Sequence, residues 1–259
     1  MTDLLRLEFR RLFRAKSFYI CLVIALAMIV ISAAATKMLL NMAATSEEYA
    51  GVAEAAALQL PTSFSMLKSV PSSSLTTILA IFISIFVTED YSSDIIKNIY
   101  SKGNSRDEVF FSKCISTFAA GLMMILVCAL FSFAMGKALF GIVGTMGKNY
   151  VGSLSAELVV LLAYVAIYFA VAISVKKTGA SIAASIIGPL LVGLLLTLGN
   201  AALKSDKISL SDYWLEGRLT ILSQADVAWK EVWIGFIVGA VVLVAAGAIG
   251  FFVNRTSEK

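Results

Sequence analysis

The chain has 259 residues, of which 59% are hydrophobic and only 15% charged, against roughly 45–50% and about 25% in a soluble domain. That balance excludes a water-soluble globule and defines an integral membrane protein. Histidine is absent, and the three cysteines, Cys21, Cys114 and Cys128, lie in or beside apolar stretches, so neither a metal centre nor a disulfide framework is indicated.

In chain order, the first predicted element is a basic amphipathic helix over residues 1–17. Leu4, Leu5, Leu7, Phe9, Leu12 and Phe13 alternate there with Arg6, Arg10, Arg11 and Arg14, a pattern suited to the membrane interface or to an ordinary positive flank. Apolar runs of the length needed to cross the bilayer, about 20 residues for roughly 30 Å of hydrocarbon, follow at 18–40, 67–88, 109–135, 154–175, 179–199 and 232–253. The expected fold is therefore all-α, with six transmembrane helices in a single transmembrane domain over residues 1–259. The first run is too long for the apolar core of a secretory signal, so a retained helix is expected. No alternating ten-residue pattern of an outer-membrane barrel is present.

Between the first two runs, segment 41–66 is expected to lie outside, with helix propensity over Ala53–Leu60. The second long outer segment, 200–231, leads into the last run, and Tyr213, Trp214, Trp229 and Trp233 suit the headgroup level. In the fifth run Gly188-Pro189 removes a backbone donor and is expected to kink the helix, a candidate gate. Gly235 and Gly239 in the sixth form a GxxxG pair, which calls for close helix packing.

Lys and Arg set the orientation. Five lie at the N-terminus, four between 89 and 113, two in the turn at 176–178 and two at the C-terminus, against eight spread over the longer opposite loops. By the positive-inside rule the first group is cytoplasmic, and with it both termini. Topology thus accounts for the net charge of +4, and no nucleic-acid partner is expected.

Several chemistries lack their residues. An ion-coupled transporter keeps ionisable side chains near the bilayer centre, whereas here Glu157 and Lys137 are expected near span ends, free to snorkel. The stretch Gly141 to Asn149 lacks the glycine spacing of a nucleotide-binding loop, and Asn254-Arg255-Thr256, a glycosylation triplet, falls on the cytoplasmic side. Ser84, Thr88, Ser132 and Ser174 are isolated hydroxyls expected to bond back to helix carbonyls. No catalytic group, bound cofactor or metal is assigned, so the energy for any transport is expected from another polypeptide.

The most telling element is the polar segment from Glu89 to Arg106. Ile95, Ile96, Ile99 and Tyr100 fall at i, i+1, i+4 and i+5, one narrow apolar face on a helix. Lys97, Asn98, Ser101 and Lys102 flank it. A solvated loop has no need of such a face, whereas a helix that docks on a soluble partner does.

With a basic amphipathic start and about six spans, the chain resembles the membrane subunits of type-2 ABC transporters. The local match is Glu89, Lys97-Asn98, Ser101-Lys102, Ser105-Arg106 and Ser112-Lys113, in that order. Asp94-Ile95 stands where many bacterial relatives carry Gly-Thr, and Gly103-Asn104 replaces the usual proline. The resemblance implies a coupling helix received by a separate ABC ATPase subunit that holds ATP and Mg. Ile95, Ile96, Ile99 and Tyr100 would be the buried anchors, and Lys97, Lys102 and Arg106 the charged rim. It further implies a second permease, identical or related, and export across the bacterial cytoplasmic membrane. An amphipathic or hydrophobic cargo is expected, foremost a membrane-active peptide as in lantibiotic-immunity exporters. The alternatives are a membrane anchor or sensor that tethers a soluble partner, and a passive channel.

Overall fold

The computed structural model describes residues 2–45, 62–69, 75–92, 105–141, 144, 146–203 and 209–256. Among them every regular element is helical: α1 (Thr2–Arg14), α2 (Lys16–Thr45), α3 (Ser63–Ser69), α4 (Leu75–Ser92), α5 (Arg106–Phe140), α6 (Tyr150–Val175), α7 (Thr178–Leu203), a 3₁₀ turn (Leu210–Tyr213), α8 (Leu215–Leu222) and α9 (Trp229–Thr256). Five of these, α2, α5, α6, α7 and α9, are long and apolar enough to cross a membrane. They contain five of the six predicted runs. Of the remaining run, 67–88, the structure describes the end of α3, to Ser69, and α4 from Leu75; residues 70–74 lie outside the described residues. At 18 residues, α4 is about 27 Å long, and its body carries Leu79, Ala80, Phe82, Ile83, Phe86 and Val87, all buried.

α1 and α2 meet at an elbow. The Ala15 amide donates to the Arg11 and Leu12 carbonyls, and the Ala15 carbonyl accepts from Phe18. On α1 the inward face is Leu4, Glu8 and Leu12, one residue per turn, so a carboxylate sits in the middle of an apolar stripe. α2 buries a single thin stripe, Phe18, Cys21, Ala25, Ile29 and Ala33, while Ile20, Val23, Ile31, Met38 and Leu39 stay exposed. In lipid the exposed side costs nothing, and the contact forms by close packing because the stripe is small.

α6 is the central helix and packs most extensively on α9. Glycines make this possible. A Cβ at Gly239 would lie 3.2 Å from the Val160 amide nitrogen, and one at Gly235 would lie 2.9 Å from Leu222 Cδ1. The GxxxG pair is thus turned toward α6 and α8. α5 ends at Gly141, whose φ of 66° is the left-handed geometry of a helix C-cap and lets its amide bond the Lys137 carbonyl.

One end of the bundle gathers α1, the last turn of α4, the first turn of α5, the α6–α7 turn and the last turn of α9. The opposite end is a compact cap in which Tyr150 Oη donates to the Phe64 carbonyl at 3.0 Å, Asn149 Nδ2 to the Val227 carbonyl at 3.0 Å and the Lys148 amide to Asp226 Oδ1 at 2.9 Å. The predicted helix at Ala53–Leu60 lies outside the described residues.

Candidate functional site

The polar segment singled out in the sequence is rooted at both ends by charged side chains. Asp90, in the last turn of α4, accepts a hydrogen bond from Arg11 Nη2 on α1 and pairs through its other oxygen with Lys113 Nζ on α5. Glu8 completes the group, 3.6 Å from Arg11 Nη1 and 4.0 Å from Lys113 Nζ. Lys113 also lies over the Phe86 ring, 5.4 Å from its centre. Two carboxylates and two cations therefore close into a clasp that joins three helices and carries no net charge when all are ionised.

Burial decides what the clasp is for. Asp90, Glu8 and Lys113 are all nearly inaccessible, at 1%, 3% and 4% exposure. Such groups gain little net stability over an apolar replacement, but removing one partner leaves the other unpaired and costs several kcal/mol. The arrangement is a register device that permits one seating of α1 against α4 and α5. Burial pushes the Glu8 carboxyl above its usual range, opposed by the Arg11 guanidinium.

The far end of the segment is fixed by a capping box. Ser105 Oγ accepts from the Glu108 amide and Glu108 Oε2 accepts from the Ser105 amide, each at 3.3 Å, which satisfies two of the amides that a helix start leaves open. Asp107 and Glu108 place negative charge at the positive end of α5. Asp107 Oδ2 also takes a bond from Arg255 Nη2 at 3.1 Å, tying the start of α5 to the end of α9. Arg106 is the first residue of α5 and is exposed. The other predicted contact residues, Ile95, Ile96, Lys97, Ile99, Tyr100 and Lys102, lie outside the described residues.

Beside the clasp, α4 and α7 are joined by hydroxyls. Thr88 Oγ1 is 2.8 Å from Thr178 Oγ1 and donates to the Ser84 carbonyl at 2.6 Å. Ser181 Oγ donates to Ser84 Oγ at 3.0 Å, and Ser185 Oγ lies 3.3 Å from it. Thr88 thus bonds back to its own helix as expected, and it and Ser84 also reach α7, which makes a ladder between helices. Ser132 also reaches another element, the Met66 carbonyl at 2.7 Å, whereas Ser174 bonds back to Ala170 as expected. Gly188 and Pro189 follow the last rung, and α7 continues through Pro189 without interruption. Beyond the proline its surface is apolar and exposed, at Leu190, Leu191, Leu194 and Leu195.

At the opposite end the structure overturns one expectation. Glu157 does not snorkel: it lies two turns inside α6 and is 1% exposed. It had been placed near a span end on sequence position alone, and the helical phase turns it inward beside Ala156 and Val160, which are also buried. Lys68 of α3 is equally buried and donates to the Gln224 carbonyl at 2.7 Å, with the Tyr150 ring centre 5.0 Å away. Lys137 is exposed.

With this architecture in place, the family follows. The family model described as ABC-2 family transporter protein matches residues 4–199, and the chain belongs to that family. It is accordingly a membrane permease subunit of an ABC transporter, a class that moves cargo and leaves nucleotide hydrolysis to an ABC ATPase. The matched region holds the clasp, the capping box and the hydroxyl ladder, while α8 and α9 lie beyond it. No curated protein and no solved structure matches the chain.

Proposed function

We propose that the chain forms half of the translocation path of an ATP-driven exporter, with segment 89–106 containing the coupling helix on which a separate ATPase subunit docks. The observation that carries this reading is the clasp. A segment that receives force must be rooted rigidly, and Asp90 ties its entry to α1 and α5 at once, while the capping box fixes its exit. Tilting of the segment by the ATPase would then move α1, α4 and α5 as one body.

The clasp end and both termini lie on the cytoplasmic side of the bacterial cytoplasmic membrane, and α4 is the sixth span. A second permease, the same or related, supplies the other half of the path. The Thr178–Ser185 ladder holds α4 and α7 together below Gly188-Pro189, so the exposed half of α7 is the part free to bend. The apolar, weakly polar helix faces suit an amphipathic or hydrophobic cargo, a membrane-active peptide foremost.

The test is co-purification with the ATPase subunit. Replacing Ile96 and Ile99 together by Asp is expected to release the ATPase while membrane insertion is kept, since those residues lie outside the hydrocarbon. Retention of the ATPase at wild-type stoichiometry would refute the docking assignment.

A further inference from the structure

The clasp uses one face of α1, and the opposite face carries a pattern of its own. Arg6, Arg10 and Arg14 are exposed and follow one another at four-residue spacing, which sets them in a single stripe along the helix. Among the described residues the ion pairs of α1 engage Arg11 and leave these three without one. Like charges at that spacing repel, and the Glu8 carboxylate is turned away from them into the clasp. An orientation signal needs only a count of positive residues near a span; it does not call for their alignment on one face.

Leu7 and Phe13, both exposed, flank the stripe, one on each side by helical phase. The depth of the helix also fits. Glu8 is 4.0 Å from Lys113 Nζ, and Lys113 lies seven residues past Arg106, the first residue of α5, about 10 Å along its axis. Tyr19 Oη, one turn into α2, donates to the Phe13 carbonyl at 3.0 Å, so the end of α1 is held where α2 enters the hydrocarbon, the level of phospholipid headgroups. A row of unpaired guanidinium groups bordered by apolar side chains, at that depth, is complementary to headgroup phosphates with acyl chains beside them.

We propose that the outward face of α1 binds anionic phospholipid, with the guanidinium groups of Arg6, Arg10 and Arg14 donating to the phosphates and Leu7 and Phe13 lying against the acyl chains. Arginine suits the task because its planar fork meets two phosphate oxygens at once. The helix is then held from both sides, by lipid on one and by Glu8 and Arg11 of the clasp on the other. The charge of the surrounding lipid therefore bears on how firmly α1 seats against α4 and α5. The inference rests on the function proposed above only for the leaflet, the cytoplasmic one; lipid binding is a property of the chain alone.

The probe is dioleoylphosphatidylglycerol, titrated into the full-length protein in detergent micelles and read by native mass spectrometry, with dioleoylphosphatidylcholine as the zwitterionic control. The wild type is expected to bind phosphatidylglycerol more tightly, by about fivefold for each arginine engaged. Arg10→Gln, at the centre of the stripe, should lose about fivefold, and replacing all three arginines by Gln should bring phosphatidylglycerol to the level of phosphatidylcholine. Replacing Lys137, Lys148 and Lys230 by Gln removes the same charge from exposed positions at the opposite end of the bundle and should leave the preference intact. Thermal melts verify that the variants are folded. Equal affinity of the wild type for the two lipids, a preference that survives in the triple arginine variant, or one lost equally in the lysine variant would overturn the proposal. Because no ATPase is present, these outcomes are independent of whether the coupling segment docks one.

Discussion

Asp90→Asn tests the clasp directly. The substitution keeps the shape of the side chain but removes the anion shared by Arg11 and Lys113, so the buried group passes from neutral to one net positive charge. Glu8 is the other carboxylate of the clasp, and its contacts are long, 3.6 and 4.0 Å. Lys113, with 5% of its side chain exposed, cannot recover water, whereas Arg11, at 25%, recovers part of its hydration. The cost therefore lies in the range for a broken buried pair, about 3–5 kcal/mol, most of it from Lys113. Reversible unfolding in mixed micelles measures it. Adding Lys113→Met to Asp90→Asn should restore a large part of the loss, because the orphaned cation is gone and a flexible apolar chain replaces it beside Phe86. If Asp90→Asn is within about 1 kcal/mol of wild type, the range of an exposed pair, or if the double variant is no better than the single one, the clasp is not a buried register device.

Other expectations follow from the same geometry. Ser105→Ala should cost about 1 kcal/mol, the usual worth of an N-cap, and should raise amide hydrogen exchange in the first turn of α5 while leaving its middle protected. Glu8 has a folded-state pKa raised above its ordinary 4.5, so its contribution to stability is full below that value and is lost as pH rises through the folded value. Glu8→Gln lacks this slope, and unfolding measured across the pH series should show the variant gaining on wild type as pH increases. Gly239→Leu forces a side chain against the Val159 and Val160 backbone and should cost about 1–3 kcal/mol as overpacking, with parting of α6 and α9 visible as new accessibility of a cysteine placed at Ala156.

The sequence made the bundle readable where length and apolarity decide. Five long helices fall where uninterrupted hydrophobic runs place them, because a chain in lipid must satisfy its backbone within each span. Of the run at 67–88, the described residues are the end of α3 and the 18-residue α4. The capping box was legible as Ser105 followed three residues later by Glu108, a signature masked by reading Ser105-Arg106 only as a family motif. The clasp was not legible, because its members are 79 and 23 residues apart along the chain and Lys113 looks like an ordinary positive flank. Sequence position put Glu157 near a span end, and only the phase of α6 reveals that it points inward.

A rooted cytoplasmic segment that takes force from another subunit must touch that subunit. Site-specific photocross-linking from position 96, in the intact transporter with its co-expressed ATPase, measures this most directly. A strong adduct to the ATPase is expected from position 96 and a weak one from Asn98, which flanks the apolar face in sequence. Adducts only to lipid or to the permease itself, with the ATPase still bound, would contradict it.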